Sequence, residues 1–175
     1  HTPLQAPRGE IEKMLPLYEG KSPGSIAAKR LENQKRLGIV PPSAKLGMHN
    51  KFNPAGYEKT SAERKEYIAE CMATYAAQIS IMDRGIGKIL ESLDRHHLSG
   101  NTIVMFLSDN GATAEMPQNN KNKKTALPIG LLGEVGCRDG YGPMWAAVSN
   151  TPYRQYKIET FDGGLSAPFI IRYPK

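Results

Sequence analysis

The most regular pattern of apolar residues predicts a long helix in the middle of the chain. From Ile68 to Leu93, apolar side chains recur at alternating steps of three and four residues. That spacing places them on one stripe of an α-helix. The segment Thr60–Glu63 fits a capping box at the helix start, and Gly100 is a plausible end. His96 and His97 are expected in the last turn, where a positive imidazole complements the helix dipole.

Weaker signals predict two shorter helices before it. One spans about Glu10–Leu15, within a segment rich in Pro and Gly. The other is capped by Ser25, runs through Leu37 and ends at Gly38. Residues 39–59 contain three prolines and many polar residues, and are expected to form a long surface excursion.

Two apolar runs predict strands. Ile103 to Leu107 are five consecutive apolar residues, a pattern typical of a strand buried on both faces of a parallel sheet. Phe169–Ile171 is a second, shorter candidate. A long helix followed by a buried strand is half of an α/β crossover unit. The predicted fold class is therefore α/β, with part of a mixed, largely parallel sheet flanked by helices. Residues 111–148 are expected to be irregular.

Composition narrows the class of protein without defining it. The 175 residues suit one domain or part of a larger one, and no apolar run approaches the roughly 18 residues of a membrane span. The net charge of +6 permits an anionic partner. The only dense basic cluster, Lys121–Lys124, is more simply a solvated loop. Cys71 and Cys137 form neither a disulfide framework nor a zinc motif.

The end of the first predicted strand offers candidate metal ligands. Ligands bind beyond the carboxyl ends of strands in open α/β sheets, and here the chain reads Ser108-Asp109-Asn110-Gly111. The Asp109 carboxylate and the Asn110 amide oxygen are hard donors that suit calcium or magnesium. The same residues are also common turn chemistry, and spacing alone favours a plain turn. The strongly apolar strand before them favours the metal interpretation, because it would hold those oxygens rigidly.

Two further residues have suitable chemistry but weak signals of their own. Lys157 would supply a compact positive charge for a tetrahedral oxyanion, although composition alone strongly favours an ordinary surface lysine. His1 could donate a proton near neutral pH, although the first residue of a chain would ordinarily be passed over.

Several blocks of the chain, taken in order, resemble one family. They are His1–Pro7, Tyr75–Gly87, Asn101–Gly111, Gly142–Lys157 and Glu159–Pro174. Together they resemble the sulfatase family of the alkaline phosphatase superfamily, and the arylsulfatases in particular. The blocks span nearly the whole chain, and the set is far more specific than any one block.

The resemblance implies roles by position. Asp109 and Asn110 match two ligands of an active-site divalent cation, usually calcium, with magnesium as the alternative. Lys157 matches a lysine that binds the sulfate group, and His1 matches a histidine that contacts the sulfate or the leaving oxygen. The family's nucleophile is a formylglycine made from the Cys or Ser of a Cys/Ser-x-Pro-x-Arg motif.

The chain departs from the family in what it lacks. Neither Cys71 nor Cys137 lies in the nucleophile motif, so both are interpreted as structural or incidental. No segment matches the two further metal-binding aspartates or the nucleophile. Residues 1–175 are therefore expected to be a fragment of a single sulfatase catalytic domain, lacking its N-terminal nucleophile segment. The fragment alone is expected to be inactive and to require the remainder of the domain.

The expected activity is hydrolysis of a sulfuric ester, either a small molecule or a sulfated glycan. Two alternatives stay open: a phosphoesterase or phosphonate hydrolase of the same superfamily, and a non-catalytic module that binds an anionic polymer. No nucleic-acid partner and no membrane span are expected. The family implies a periplasmic or secreted location in a bacterium, or a lysosomal one in an animal.

Overall fold

Helices and a short sheet make up the chain, whose residues 3–47, 54–114, 132–137 and 139–173 are described by a computed structural model. Short 3₁₀ helices span Leu15–Leu17 and Ser99–Asn101. The main elements, in chain order, are α1 (Arg8–Met14), α2 (Pro23–Arg36), α3 (Pro54–Glu58), α4 (Ala62–Arg95), β1 (Val104–Leu107), α5 (Gly142–Ser149), α6 (Asp162–Leu165) and β2 (Phe169–Arg172). The mixed α/β class is confirmed.

The long helix α4 is confirmed, with different ends. Ser61 is its N-cap, because the Ser61 hydroxyl accepts a hydrogen bond from Arg64 N at 3.3 Å. The predicted capping box was therefore placed one residue too early, and Glu63 does not close it. The helix ends at Arg95, before Gly100, with His96 as its C-cap and His97 at φ 56°. His96 Nδ1 lies 2.7 Å from Ser92 O, at the helix terminus as expected.

The two short helices are also present. α1 and the 3₁₀ turn after it cover the predicted Glu10–Leu15. α2 begins earlier than predicted, because Ser22, and not Ser25, accepts the capping hydrogen bond, at 3.1 Å from Ser25 N. Gly38, at φ 69°, follows its end as expected. Pro23 at the first position favours this start, since its missing N–H costs nothing there.

The core lies around the first half of α4. Every residue from Tyr67 to Thr74 is buried, whereas Ile79, Met82 and Ile89 of the predicted apolar stripe are exposed. Burial therefore surrounds the helix from Tyr67 to Thr74 and does not follow the predicted stripe beyond it.

Helix α5, which was not predicted, packs against this core. Trp145 is 1% exposed, and its Nε1 donates to Ile68 O at 2.7 Å. Its ring also makes an edge contact with Tyr18 at 5.7 Å between centroids. The predicted irregular stretch 111–148 was thus wrong over Gly142–Val148. Its other predicted feature, the basic cluster Lys121–Lys124, lies outside the described residues.

The described part of the sheet is less buried than predicted and shows no parallel pair. β1 pairs with β2 antiparallel, with Val104 opposite Arg172 and Leu107 opposite Phe169. The prediction that β1 is buried on both faces is wrong for this chain, since Leu107 is 59% exposed. An apolar run measures a preference for burial, but burial also needs a covering element.

Within the described ranges, no helix combines the length and the hydropathy of a membrane span.

Replacing Trp145 tests how strongly α5 depends on the core. Trp145→Ala should lower the free energy of unfolding by about 3–5 kcal/mol, through lost burial and the cavity left behind. Trp145→Phe keeps most of the ring packing but loses the bond to Ile68 O, and should cost about 1–3 kcal/mol. Urea unfolding followed by far-ultraviolet circular dichroism measures both.

The matched control is Leu37→Ala, because Leu37 is 61% exposed. It should change the free energy of unfolding by no more than about 0.5 kcal/mol. Equal effects of Trp145→Ala and Leu37→Ala would contradict the packing described for α5.

Candidate active site

The segment after β1 forms a tight turn that carries a carboxylate and an amide. Ser108 N donates to Pro168 O at 3.3 Å, which continues the contact between the two strands. The Ser108 hydroxyl then donates to Asn110 O at 2.9 Å. Asn110 Nδ2 donates to the Asp109 carboxylate, so the two side-chain heads lie side by side. Asp109 is exposed and Asn110 half-buried, so both heads are accessible from outside.

The loop that carries Lys157 lies directly against this turn. Lys157 N donates to Ala112 O at 3.0 Å, and Ala112 is only two residues beyond Asn110. Lys157 itself is half-buried. The backbone of Lys157 therefore lies against the turn that carries two other predicted site residues, Asp109 and Asn110.

The fourth, His1, lies outside the described residues, although the segment that follows it is firmly held. Gln78 Nε2 donates to Pro3 O at 3.0 Å and to Gln5 O at 3.2 Å. Leu4 is fully buried, and its N–H donates to Asp139 O at 2.9 Å.

Two glycines allow the turn and the loop to meet. A Cβ on Gly111 would overlap Gly163 O, and a Cβ on Gly163 would overlap the carbonyl oxygens of Gln155 and Arg154. Because those neighbours are backbone atoms, they could not move aside cheaply. A close approach, and not the conformational freedom predicted for the turn, therefore requires glycine at this position, since Gly111 does not have a positive φ.

The amide of Asn150 joins the same segments. Its Oδ1 accepts from Ala112 N at 3.0 Å, and its Nδ2 donates to Gln155 O at 3.0 Å and to Gly163 O at 2.6 Å. In the sequence, Asn150 stands out only as one member of a block that resembles the family. Nothing in the residues around it indicates that its side chain reaches three backbone groups in two other segments.

The Lys157 loop contains backbone conformations that are unfavourable on their own. Gln155 has φ 64° and Ile158 has φ 81°, in the left-handed region that β-branched residues rarely adopt. Such conformations cost of order 1–3 kcal/mol each and persist where the surroundings hold them. The bonds to Ala112 and Asn150 are part of what holds the loop in this shape.

The two cysteines are poorly placed for chemistry. Both are buried and unpaired with each other, and burial raises the pKa of the Cys71 thiol far above its usual range. A thiol that stays protonated is a weak nucleophile. This agrees with the interpretation of both residues as structural.

The residues at the turn fit part of a divalent-cation site. Calcium takes six to eight oxygen ligands, and magnesium about six, so Asp109 and Asn110 would supply only some of them. Among the described residues, no group of three or more His, Cys, Asp or Glu side chains is placed to hold an ion. The donor chemistry suits a hard cation, provided that further oxygen ligands come from elsewhere.

Adding a methyl group at Gly111 tests the close approach. Gly111→Ala should destabilise the protein by about 1–3 kcal/mol, because the turn and loop must separate. Gly85→Ala is the matched control, since Gly85 lies inside α4 with nothing within 4 Å of an added Cβ. That control should stabilise the helix by up to about 1 kcal/mol. Thermal and urea unfolding measure both variants. Changes of the same sign in the free energy of unfolding would contradict the close packing at Gly111.

Comparison with known proteins identifies the family. A family model described as Sulfatase matches residues 43–175. An uncharacterized sulfatase of Schizosaccharomyces pombe is 32% identical over 99% of this chain and 32% of its own length. An arylsulfatase of Klebsiella aerogenes is 33% identical over 99% of this chain and 38% of its own length. A steryl-sulfatase of Rattus norvegicus is 32% identical over 57% of this chain and 14% of its own length. The chain thus spans about a third of the first two relatives, and it belongs to the sulfatase family.

Proposed function

We propose that this chain is part of the catalytic domain of a sulfuric ester hydrolase of the arylsulfatase type. The observation that carries the proposal is the hydrogen bond from Lys157 N to Ala112 O. It places a lysine loop against the turn that bears Asp109 and Asn110, in a member of the sulfatase family.

Each of these residues has a role in handling a charged ester. A sulfate ester carries negative charge that repels a nucleophile, so fixed positive charge at the oxygens accelerates attack. Asp109 and Asn110 would hold a divalent cation, calcium or magnesium, which supplies Lewis-acid stabilisation when bound. The Lys157 ammonium would bind the sulfate oxygens.

Departure of the alcohol needs a proton donor. His1 would contact the sulfate or the leaving oxygen and donate that proton. The nucleophile in this proposal is a formylglycine carried outside these 175 residues, together with two further metal-binding aspartates. The remainder of the catalytic domain is accordingly required for activity.

The exposed sheet supports this division of the domain. Phe169 and Ile170 of β2 are 57% and 63% exposed, as Leu107 of β1 is. Surface clusters of large apolar side chains mark places where another element packs. In the whole domain we propose that β1 and β2 belong to a mixed, largely parallel sheet covered by helices.

The substrate proposed is a sulfate ester, either a small molecule or a sulfated glycan, with a periplasmic, secreted or lysosomal site of action. The names of the relatives include aryl and steryl sulfatases. The loops around the turn would decide between such substrates.

Hydrolysis of p-nitrophenyl sulfate by the full-length enzyme that contains this sequence tests the proposal. Lys157→Ala should lower kcat/KM about 10²–10³-fold, because a preorganised charge is lost from the transition state. Asp109→Ala should abolish the dependence of activity on added calcium or magnesium. Lys88→Ala, at an exposed position on α4, is the control and should leave kcat/KM unchanged.

The same assay separates the proposal from its alternative. A wild-type enzyme that prefers p-nitrophenyl phosphate, with Lys157→Ala affecting that reaction equally, would replace the sulfatase by a phosphoesterase. Salt-sensitive binding of heparin without turnover of either ester would favour an anionic-polymer-binding module.

The division of the domain makes a prediction of its own. The purified 175-residue chain should show no turnover of p-nitrophenyl sulfate above the buffer rate, with or without calcium. Far-ultraviolet circular dichroism on the same sample checks that its helices are formed. Turnover by this chain would show that it needs no nucleophile from elsewhere.

A further inference from the structure

We propose that Asn150 is a positioning residue, whose side chain sets the distance between the turn bearing Asp109 and Asn110 and the loop bearing Lys157. The roles of those three residues rest on the proposed function. The positioning itself rests on the hydrogen bonds of Asn150.

The Asn150 amide uses both of its chemical ends. An asparagine side chain has one carbonyl oxygen and two N–H donors. Here the oxygen accepts from Ala112 N, while the nitrogen donates to Gln155 O and Gly163 O. One planar group thus connects the turn after β1 to Gln155 in the Lys157 loop and to Gly163 in α6. We call this group, with its three partners, the Asn150 clamp.

The clamp controls Ala112 together with Lys157. The N–H of Ala112 is bonded to Asn150 Oδ1 at 3.0 Å, and its C=O accepts from Lys157 N at 3.0 Å. The backbone N–H and C=O of Ala112 are therefore both hydrogen-bonded, one to Asn150 and the other to Lys157. Because Ala112 is two residues from Asn110, movement of this peptide would carry the cation ligands with it.

Asn150 is itself held by the core. It is the C-cap of α5, and its N–H donates to Ala146 O at 3.2 Å. Ala146 is fully buried, and the neighbouring Trp145 is bonded to α4. The packed helices therefore fix the position of the amide. A precisely placed site requires such support from rigid elements.

No other common side chain reproduces the clamp. Aspartate has nearly the same shape but no N–H, so its carboxylate would face the two carbonyl oxygens of Gln155 and Gly163. Unpaired and mutually repelling acceptors are costly when half-buried. Alanine would leave all three backbone groups without this partner. Glutamine carries both functions but is one methylene longer, so its amide would not meet the same three backbone groups from this backbone position.

The test uses the full-length enzyme with Asn150→Asp and Asn150→Ala. Calcium dependence of p-nitrophenyl sulfate hydrolysis, calorimetric calcium binding, kcat and KM are measured for each. Groups that orient metal ligands typically contribute 10–100-fold to metal affinity or activity. Asn150→Asp should therefore raise the calcium concentration for half-maximal activity about tenfold and lower kcat by roughly 10–100-fold.

Asn101→Asp is the matched control, since Asn101 is exposed and precedes β1, at the end of the strand away from Asp109. It makes the same chemical change without touching the clamp, and should leave calcium dependence and kcat unchanged. Had Asn150 only a structural role, Asn150→Asp would lower the melting temperature and the active fraction but keep the wild-type calcium midpoint. That result would overturn the inference.

Amide hydrogen exchange of residues 108–114 and 155–163 gives a readout that does not depend on activity. Exchange in both segments should be at least severalfold faster in Asn150→Ala than in wild type, because the bonds that hold them together are lost. Should the wild-type enzyme hydrolyse no sulfate ester, the proposed function fails. Exchange then decides on the clamp alone: faster exchange supports it, and unchanged exchange overturns it.

Discussion

The backbone of Gly111 lies so close to the backbone of Gly163 that Gly111 has no room for a side chain. This contact makes the turn after β1, the Lys157 loop and the start of α6 a single unit. It allows Lys157 N to reach Ala112 O, and Asn150 to bond both segments at once. Without it, the turn bearing Asp109 and Asn110 would not meet the Lys157 loop, which lies more than 40 residues further along the chain.

The rigidity of this unit comes from a different place than the sequence suggests. The apolar run before Asp109 is an attractive candidate for a rigid support, but β1 is largely exposed and pairs with β2 along only four residues. The firm support is α5, which is fixed to α4 by Trp145 and ends one residue before Asn150. The loops therefore take their positions from a helical core, the usual division between scaffold and site.

The elements that could be predicted from the sequence are those that depend on patterns among neighbouring residues. Periodicity and apolar runs located α4, β1 and β2, because those patterns are local. The caps of α2 and α4 were misplaced because several Ser and Thr residues compete at each start, and only the three-dimensional path shows which hydroxyl meets a free N–H. Helix α5 was missed because eight residues that are apolar on most sides show no helical alternation.

The residues of the candidate site also fall into those that the sequence could indicate and those that it could not. Residue type and family resemblance were enough to name Asp109, Asn110 and Lys157 as a group. They were not enough to single out Asn150, because nothing in an Asn residue indicates which backbone atoms its amide will meet.

The conformation of the Lys157 loop shows why such long-range contacts were needed. Gln155 and Ile158 adopt positive φ angles that neither residue prefers, so an isolated peptide of this sequence would relax to another shape. Its native path is maintained by bonds to Ala112, Asn150 and the glycine pair, all of which depend on segments elsewhere in the chain. Lys157 therefore occupies its place only when the turn bearing Asp109 and Asn110 is also formed. The Lys157 loop and the turn bearing Asp109 and Asn110 are thus assembled together, as one consequence of folding.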